Sequence, residues 1–406
     1  MAKSSNFDVI VIGGGPIGLS TAYHLSKRKA RVLVLEQFTF LNQLGSSAGA
    51  SRQFRIPYPE EYMVKLVMQS LPFWEELQAT TPIPLLHKAG TLWFGDPTVH
   101  STEGNINDAK KAMDAQGIQY EVLNLTQLER EFHFCNLPSS YTGIFQPDGA
   151  SIDLRATIET LHRWNTDSPF VTLKDETPVN DIAQSNSEFS LRTPLGTFVG
   201  KKLVLTPGPY ANSVFHLLNF HIAATYWNMS SAYFKITDPK ITYPTWFVFQ
   251  QPAGINGNEF YGFPEMASNN PGYMRVASDF VIKPIRSPQQ RTSVPNEQEL
   301  AFTSAWVREH MTGLHPVPEF TSTCLVALSK IANKELLVDF APPHVPNCEN
   351  VVLYATGWAA KFIPILGKIL ADLVLDSRTS FDISQFQLGY KYLFRLDDSK
   401  LDFANR

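Results

Sequence analysis

A discontinuous α/β domain with a parallel sheet, interrupted by a second α+β domain with a mostly antiparallel sheet, is predicted by three features of the chain. The first is a short apolar run over 7–12 that leads into Gly13-Gly14-Gly15-Pro16-Ile17-Gly18. The second is another short apolar run over 31–35 that ends in Glu36. The third is a change of texture over 225–318, where aromatic segments alternate with loops rich in Pro, Gly and Asn.

The run over 7–12 is rich in β-branched residues and too short for a helix, which predicts a buried parallel strand. Gly13 permits the tight turn after it, Gly15 lets backbone approach a diphosphate, and Gly18 lets the next helix pack closely on the strand. A helix from 17 to about 29 then begins with its free N–H groups facing the phosphates, with Pro16 and Ile17 at its start. Glu36 stands 18 residues beyond Gly18, close to the expected place of an acidic acceptor for a ribose hydroxyl. Strand, glycines, helix and acidic strand end, in this order, predict a Rossmann-type dinucleotide site.

A helix is predicted from 60 to about 78, where Met63, Leu66, Val67, Leu71 and Trp74 recur near helical spacing. Further helices are predicted over 107–115, 125–132, 153–164 and 297–309, and strands over 91–94, 232–234 and 246–249. Two segments resemble one another, Lys202-Leu203-Val204-Leu205-Thr206-Pro207-Gly208 and Val351-Val352-Leu353-Tyr354-Ala355-Thr356-Gly357. Each suits a strand of the parallel sheet ending at its carboxyl edge, where ligands of open α/β sheets bind. The resulting division assigns 1–88, 146–224 and 321–388 to the dinucleotide domain, 89–145 and 225–320 to the second domain, and 389–406 to a tail.

The bulk properties agree with a large enzyme. The 406 residues suggest two or three domains at roughly 150 residues each. Hydrophobic residues make up 44% of the chain and charged residues only 18%, so much of it is interior. A net charge of −4 without a basic stripe argues against nucleic acid, and no apolar run is long enough for a membrane span. Cys135, Cys324 and Cys348 are scattered and odd in number, and the first residues are polar; both favour the cytoplasm. His133, His162, His216, His221 and His310 show no metal-ligand spacing, so no metal is expected.

The glycine loop, Gly45-Ser46-Ser47 with Arg52-Gln53-Phe54-Arg55, Tyr261-Gly262-Phe263-Pro264, Cys324, and Ala355-Thr356-Gly357 with Lys361-Phe362 together resemble the monomeric sarcosine oxidase family. That family lies within the D-amino-acid-oxidase-like FAD superfamily, and the resemblance runs from Asp8 to about Phe386. It implies an FAD-dependent, monomeric amine oxidase. Such an enzyme converts a secondary, N-methyl or cyclic amino acid to an imine and passes the electrons to O2, giving H2O2. It further implies that Arg55 and Lys361 hold the substrate carboxylate, as a planar fork and a point charge. Arg52 is placed beside the flavin ring, and Cys324 where the family attaches its flavin covalently. Gln37, Ser46, Ser47, Val179, Gly208, Gly357 and Trp358 are placed against the cofactor, and Tyr261 at the reacting centre. Tyr226, Trp227, Tyr233, Trp246 and Phe249 join Tyr261 as candidates to line an apolar substrate pocket, about half of them expected to be plain core.

Departures from the family pattern bear on mechanism. Ala48 stands where the family has His, and Arg275 where it has the lysine that activates oxygen, with Ser278 or Asp279 in place of a histidine. A guanidinium spreads its charge and cannot be deprotonated, so Arg275 predicts slow oxygen reduction or a different acceptor. Lys283 is the alternative cation, and Arg275 is alternatively a second substrate anchor or structural. The segment from Gly357 to Lys361 is shorter than the family's glycine-rich loop and contains Trp358. These departures, with the crowded aromatics, favour a ring-containing substrate over sarcosine. The remaining alternatives are an NAD-dependent dehydrogenase on the same glycine loop and a catalytically impaired flavin-binding partner protein.

Overall fold

Strict alternation of side chains along short strands builds the first sheet. Val9, Val11, Val32, Val34, Val204 and Val352 point into one buried cluster, while Ile10, Ile12, Leu33, Leu35, Leu203, Leu205 and Leu353 point into another on the opposite face. Strands buried on both faces read as continuous apolar runs, which is why these segments stand out in the sequence. The computed structural model describes residues 6–101, 103–185, 188–251, 259–278, 283–329, 336–388 and 393–395.

The strand Asn6–Ile12 pairs in parallel with Val32–Leu35 on one side and Gly196–Leu205 on the other. Val171–Lys174 extends the parallel set beyond Val32–Leu35, and Val351–Ala355 extends it beyond Gly196–Leu205. The hairpin of Asp181–Ser185 and Glu188–Thr193, and the strand Leu337–Phe340, add antiparallel pairings. The helix Pro16–Lys27 covers one face and packs against Ile363–Asp376 so closely that a Cβ on Gly367 would meet Ser20 Oγ at 2.1 Å. It ends two residues before the predicted stop, because Lys29 adopts a left-handed φ of 61° that breaks the ladder.

The second sheet runs in the order Phe320–Ser329, Ala224–Lys235, Tyr273–Ser278, Glu259–Phe263, Thr245–Phe249, Thr91–Gly95, Thr142–Gln146, Glu121–Leu123. All its neighbours are antiparallel except Thr245–Phe249 with Thr91–Gly95. Its far face carries Trp246, Phe94, Phe134 and Trp306, and the helix Glu297–His310 packs there. Cys324 therefore sits on an edge strand of this second sheet, opposite Met229. A small third sheet, Ser51–Phe54 with Ala150–Asp153 and Leu86–Lys88, carries Arg52 and leads directly into Arg55. Among the described residues, no helix is long and apolar enough to cross a membrane.

Candidate active site

One cavity opens at the carboxyl edge of the parallel strands and reaches the near face of the second sheet. It encloses about 2030 Å³ of empty space, counted out to its open rim. Its wall includes Gly13 and Glu36 from the first βαβ unit as well as Arg55 and Lys361.

Glycines shape the end nearest the first strand. Gly13 has φ +110°, and a Cβ there would meet the Thr206 carbonyl oxygen at 2.3 Å. A Cβ on Gly18 would lie 1.9 Å from the Gly13 carbonyl oxygen, so this glycine serves strand–helix packing and does not itself line the cavity. Gly15 differs: a Cβ there would meet nothing within 4 Å. It is the N-cap of the helix Pro16–Lys27, no side chain caps that end, and Pro16 and Ile17 line the cavity beside it. Uncapped N–H groups at a helix start fit a diphosphate.

Glu36 lines the cavity next to Gln37 and is buried. Its carboxylate accepts from the backbone N–H of Gly14 at 2.7 Å and of Phe38 at 2.9 Å. Burial raises its pKa above the usual carboxylate range, and these backbone donors pull against that shift. Ser46, Ser47, Val179 and Gly208 complete this part of the wall.

Two guanidinium groups face the middle of the cavity. Arg52 donates to the carbonyl oxygens of Ser51 at 2.6 Å, Ser46 at 2.6 Å and Ala48 at 2.7 Å, tying the serine-rich loop together. Arg275 donates to the Ser51 carbonyl at 2.6 Å, to Ser51 Oγ at 3.2 Å and to Ser231 Oγ at 2.8 Å, over the Phe263 ring at 4.7 Å. Among the described residues neither has a carboxylate at ion-pair distance. Positive charge that is buried at Arg275, half-buried at Arg52 and held only by neutral acceptors favours an anionic or electron-rich ligand. Cys324, Gly357 and Trp358 line the same region.

The far end brings Arg55 and Lys361 together. Arg55 is 2% exposed and its Nη2 donates to Glu103. Part of the guanidinium expected to hold a substrate carboxylate is thus engaged by a carboxylate of the protein. Lys361 is 4% exposed and donates to the Tyr58 hydroxyl and, at 3.1 Å, to the Trp358 carbonyl. Tyr261 stacks on Phe247 at 5.4 Å, and burial pushes its hydroxyl pKa well above the ordinary value.

Of the aromatic candidates only Tyr261 lines the cavity. Trp246 points to the opposite face of its sheet, stacked 4.9 Å from Trp306, and Tyr233 stacks on Phe320 at 4.4 Å. Phe249 packs 5.0 Å from Trp93, and Tyr226 and Trp227 also lie off the wall. Lys283 is exposed and away from the cavity, Ser278 is buried, and Asp279 lies outside the described residues. Sequence reasoning missed Gln53, Glu103, Glu259, Phe247 and Thr356, all of which line the cavity. Gln53 stood in plain view between the two arginines; Glu103 carries no local signal, because only the fold joins it to Arg55.

Comparison with known proteins accords with this geometry. The family model described as FAD dependent oxidoreductase matches residues 8–373. A Dictyostelium discoideum protein named as a bifunctional amine oxidase is 31% identical over 95% of this chain, although the chain spans only 37% of that protein. The peroxisomal sarcosine oxidase of Mus musculus is 26% identical, over 96% of this chain and 97% of its own. The solved structure of NikD, an unusual amino acid oxidase essential for nikkomycin biosynthesis, superposes with a TM-score of 0.89 at 36% identity, covering 95% of this chain and 98% of that one. The uncapped helix start and the glycine cradle suit the diphosphate of FAD, and the cations suit the negative charge its ring carries when reduced. The chain belongs to the FAD dependent oxidoreductase family, in the company of amine and amino acid oxidases.

Proposed function

We propose that this protein oxidises the C–N bond of a secondary, N-methyl or cyclic amino acid to an imine. The relatives named for sarcosine and amino acid oxidation support the substrate class. The observation that carries the reading is that Arg55 and Lys361 reach the same cavity as the glycine cradle and Cys324. Bound FAD would supply a two-electron acceptor for oxidation of the C–N bond, with the chain's own residues holding the amino acid beside it. Arg55 and Lys361 bind the carboxylate, Tyr261 and Phe247 flank the rest of the substrate, and Arg52 stabilises negative charge on the reduced ring.

In this reading the flavin is attached through Cys324, the electrons pass to O2 to give H2O2, and the protein works as a monomer in the cytoplasm. The division into 1–88, 146–224 and 321–388 against 89–145 and 225–320 is retained as part of the proposal. Arg275 at the family's lysine position supports a second reading, in which another acceptor takes the electrons.

Anaerobic mixing of the purified yellow protein with a panel of cyclic and N-methyl amino acids tests the core of this proposal. Bleaching of the flavin by at least one of them is expected; no bleaching by any would leave a flavin-binding module instead. Oxygen against dye turnover then separates the two acceptors. An acid-precipitated pellet that stays yellow in the native protein and turns white in Cys324→Ser is expected from covalent attachment.

A further inference from the structure

Thr206 and Thr356 follow two neighbouring parallel strands, Gly196–Leu205 and Val351–Ala355; Gly357 comes directly after Thr356, and Gly208 two residues after Thr206. Both are buried and both line the cavity. Their hydroxyls are used differently. Thr206 Oγ1 donates to the carbonyl oxygens of Gly13 at 3.0 Å and Ile12 at 3.3 Å, pinning the glycine turn. Thr356 Oγ1 has no hydrogen-bond partner among the described residues, although the residue is only 5% exposed.

A buried hydroxyl without a partner is destabilising. Thr356 carries a second cost, for its φ of +59° is in the left-handed region that a β-branched residue rarely adopts. The conformation is locked from both sides: the Tyr354 hydroxyl donates to the Thr356 carbonyl at 2.8 Å, and the Gly357 N–H donates to the Ala327 carbonyl at 3.1 Å. Such conformations persist where the surroundings over-determine them, typically at ligand sites. Both unfavourable features fall on one residue of the cavity wall.

Position along the sheet indicates what that hydroxyl meets. The diphosphate loop follows Asn6–Ile12, Gly196–Leu205 is the next strand, and Val351–Ala355 the one after. Adjacent strands stand about 4.8 Å apart, so Thr356 lies roughly 10 Å across the sheet from the loop. That is the side toward Arg52, Cys324 and Lys361, where the ring half of an extended FAD belongs.

We propose that Thr356 is a positioning residue for the flavin, its hydroxyl donating to a ring oxygen or nitrogen that gains electron density on reduction. The inference rests on the family's cofactor and is independent of the proposed substrate. Losing such a donor disfavours the reduced ring and lowers the midpoint potential.

The test is an anaerobic redox titration of the holoenzyme with native Thr356, Thr356→Val and Thr356→Ser, with the flavin absorption spectrum and melting temperature recorded alongside. Valine keeps the branched shape and loses the hydroxyl; serine keeps the hydroxyl. A lower midpoint potential and a shifted flavin band are expected for valine, with serine at native values. Thr356→Gly, which suits the positive φ, provides a hydroxyl-free protein if the valine variant does not accumulate, under the same criterion. Native potential and spectrum without the hydroxyl would overturn the proposal. So would equal shifts in valine and serine, or a change confined to the affinity for a carboxylate ligand.

Discussion

Lys361 donates its ammonium proton to the hydroxyl of Tyr58, and the same Tyr58 ring lies 4.4 Å from the guanidinium carbon of Arg55. One aromatic thus orders two cations that are otherwise 306 positions apart in the chain. The ring holds the Arg55 guanidinium, while the hydroxyl at its edge holds the Lys361 ammonium. Trp74 Nε1 fixes the Lys361 backbone by donating to its carbonyl at 2.8 Å. Two cations held this rigidly need little reorganisation when a carboxylate arrives.

Replacing Lys361 with Met removes the charge and keeps the apolar stem. A charge-assisted hydrogen bond contributes about 1.5–3 kcal/mol, so a carboxylate ligand should bind about 10- to 150-fold more weakly. Titrating the flavin absorbance of both proteins with a cyclic imino acid measures this. Equal dissociation constants would remove Lys361 from the carboxylate site.

Glu103 neutralises Arg55 in the interior, and breaking a buried pair on one side commonly costs about 3–5 kcal/mol. Glu103→Gln should therefore melt at a lower temperature than the native protein. An added carboxylate ligand then supplies the missing negative charge and should raise the melting temperature by more in the variant than in the native protein. Equal ligand-induced shifts would argue that Arg55 does not face the ligand anion.

The contrast between Glu103 and the first βαβ unit shows what was legible in the sequence. Strand, glycine loop and Glu36 are local, because each depends on residues within one short unit and on a period that burial on both faces imposes. Arg55 and Lys361 were found through a resemblance, which supplied the pairing that no period reveals. Glu103, Gln53 and Glu259 stayed hidden because their proximity to the site arises from sheet packing between distant segments. Trp246 and Tyr233 were candidates only because periodicity identifies alternate faces without saying which face meets the cavity. Thr356 carries its signal in a backbone angle, which composition does not encode.

Gly15 and Gly18 separate binding from folding. Gly15 has φ −70°, and an added Cβ would enter open cavity, so Gly15→Ala should fold normally and lose FAD affinity. At Gly18 the Cβ would collide with the Gly13 carbonyl at 1.9 Å, so Gly18→Ala should lose stability in the absence of cofactor. Melting of the apoprotein and FAD titration, run on both variants, distinguish them. Native FAD affinity in Gly15→Ala would contradict a diphosphate at this turn.

Arg275 offers a third kind of test, because its geometry ties two sheets together while its position suggests oxygen chemistry. Lysine at 275 cannot reach Ser51 and Ser231 with a planar fork, and loss of even one charged hydrogen bond costs about 1.5–3 kcal/mol. Arg275→Lys should thus melt lower and yet reoxidise faster, about tenfold or more, as a compact ammonium replaces a spread charge. Stopped-flow mixing of the reduced enzyme with oxygen measures the rate. An unchanged rate would leave Arg275 a structural clamp.

The buried His24 predicts a loss of stability at mildly acidic pH. It is buried between Tyr23 and Phe73, with its Nε2 3.1 Å from the Pro364 carbonyl, and burial lowers its pKa to about 4. Between that value and the ordinary 6.5 the unfolded chain binds a proton that the native protein does not, so stability rises with pH across this window and falls on acidification. The loss reaches about 2 kcal/mol by pH 5, with Glu76 opposing it and Lys27 reinforcing it. Carboxylates act lower: Asp8, held at about 2 by Arg31 and Lys201 against the effect of burial, gives up its contribution only below its ordinary 3.8. His24→Gln can still donate to Pro364 and cannot titrate. Urea unfolding of both proteins at pH 7, 6 and 5 should show the native curve losing stability faster than the variant's. Parallel curves would show that this imidazole does not set the acid limit of the fold.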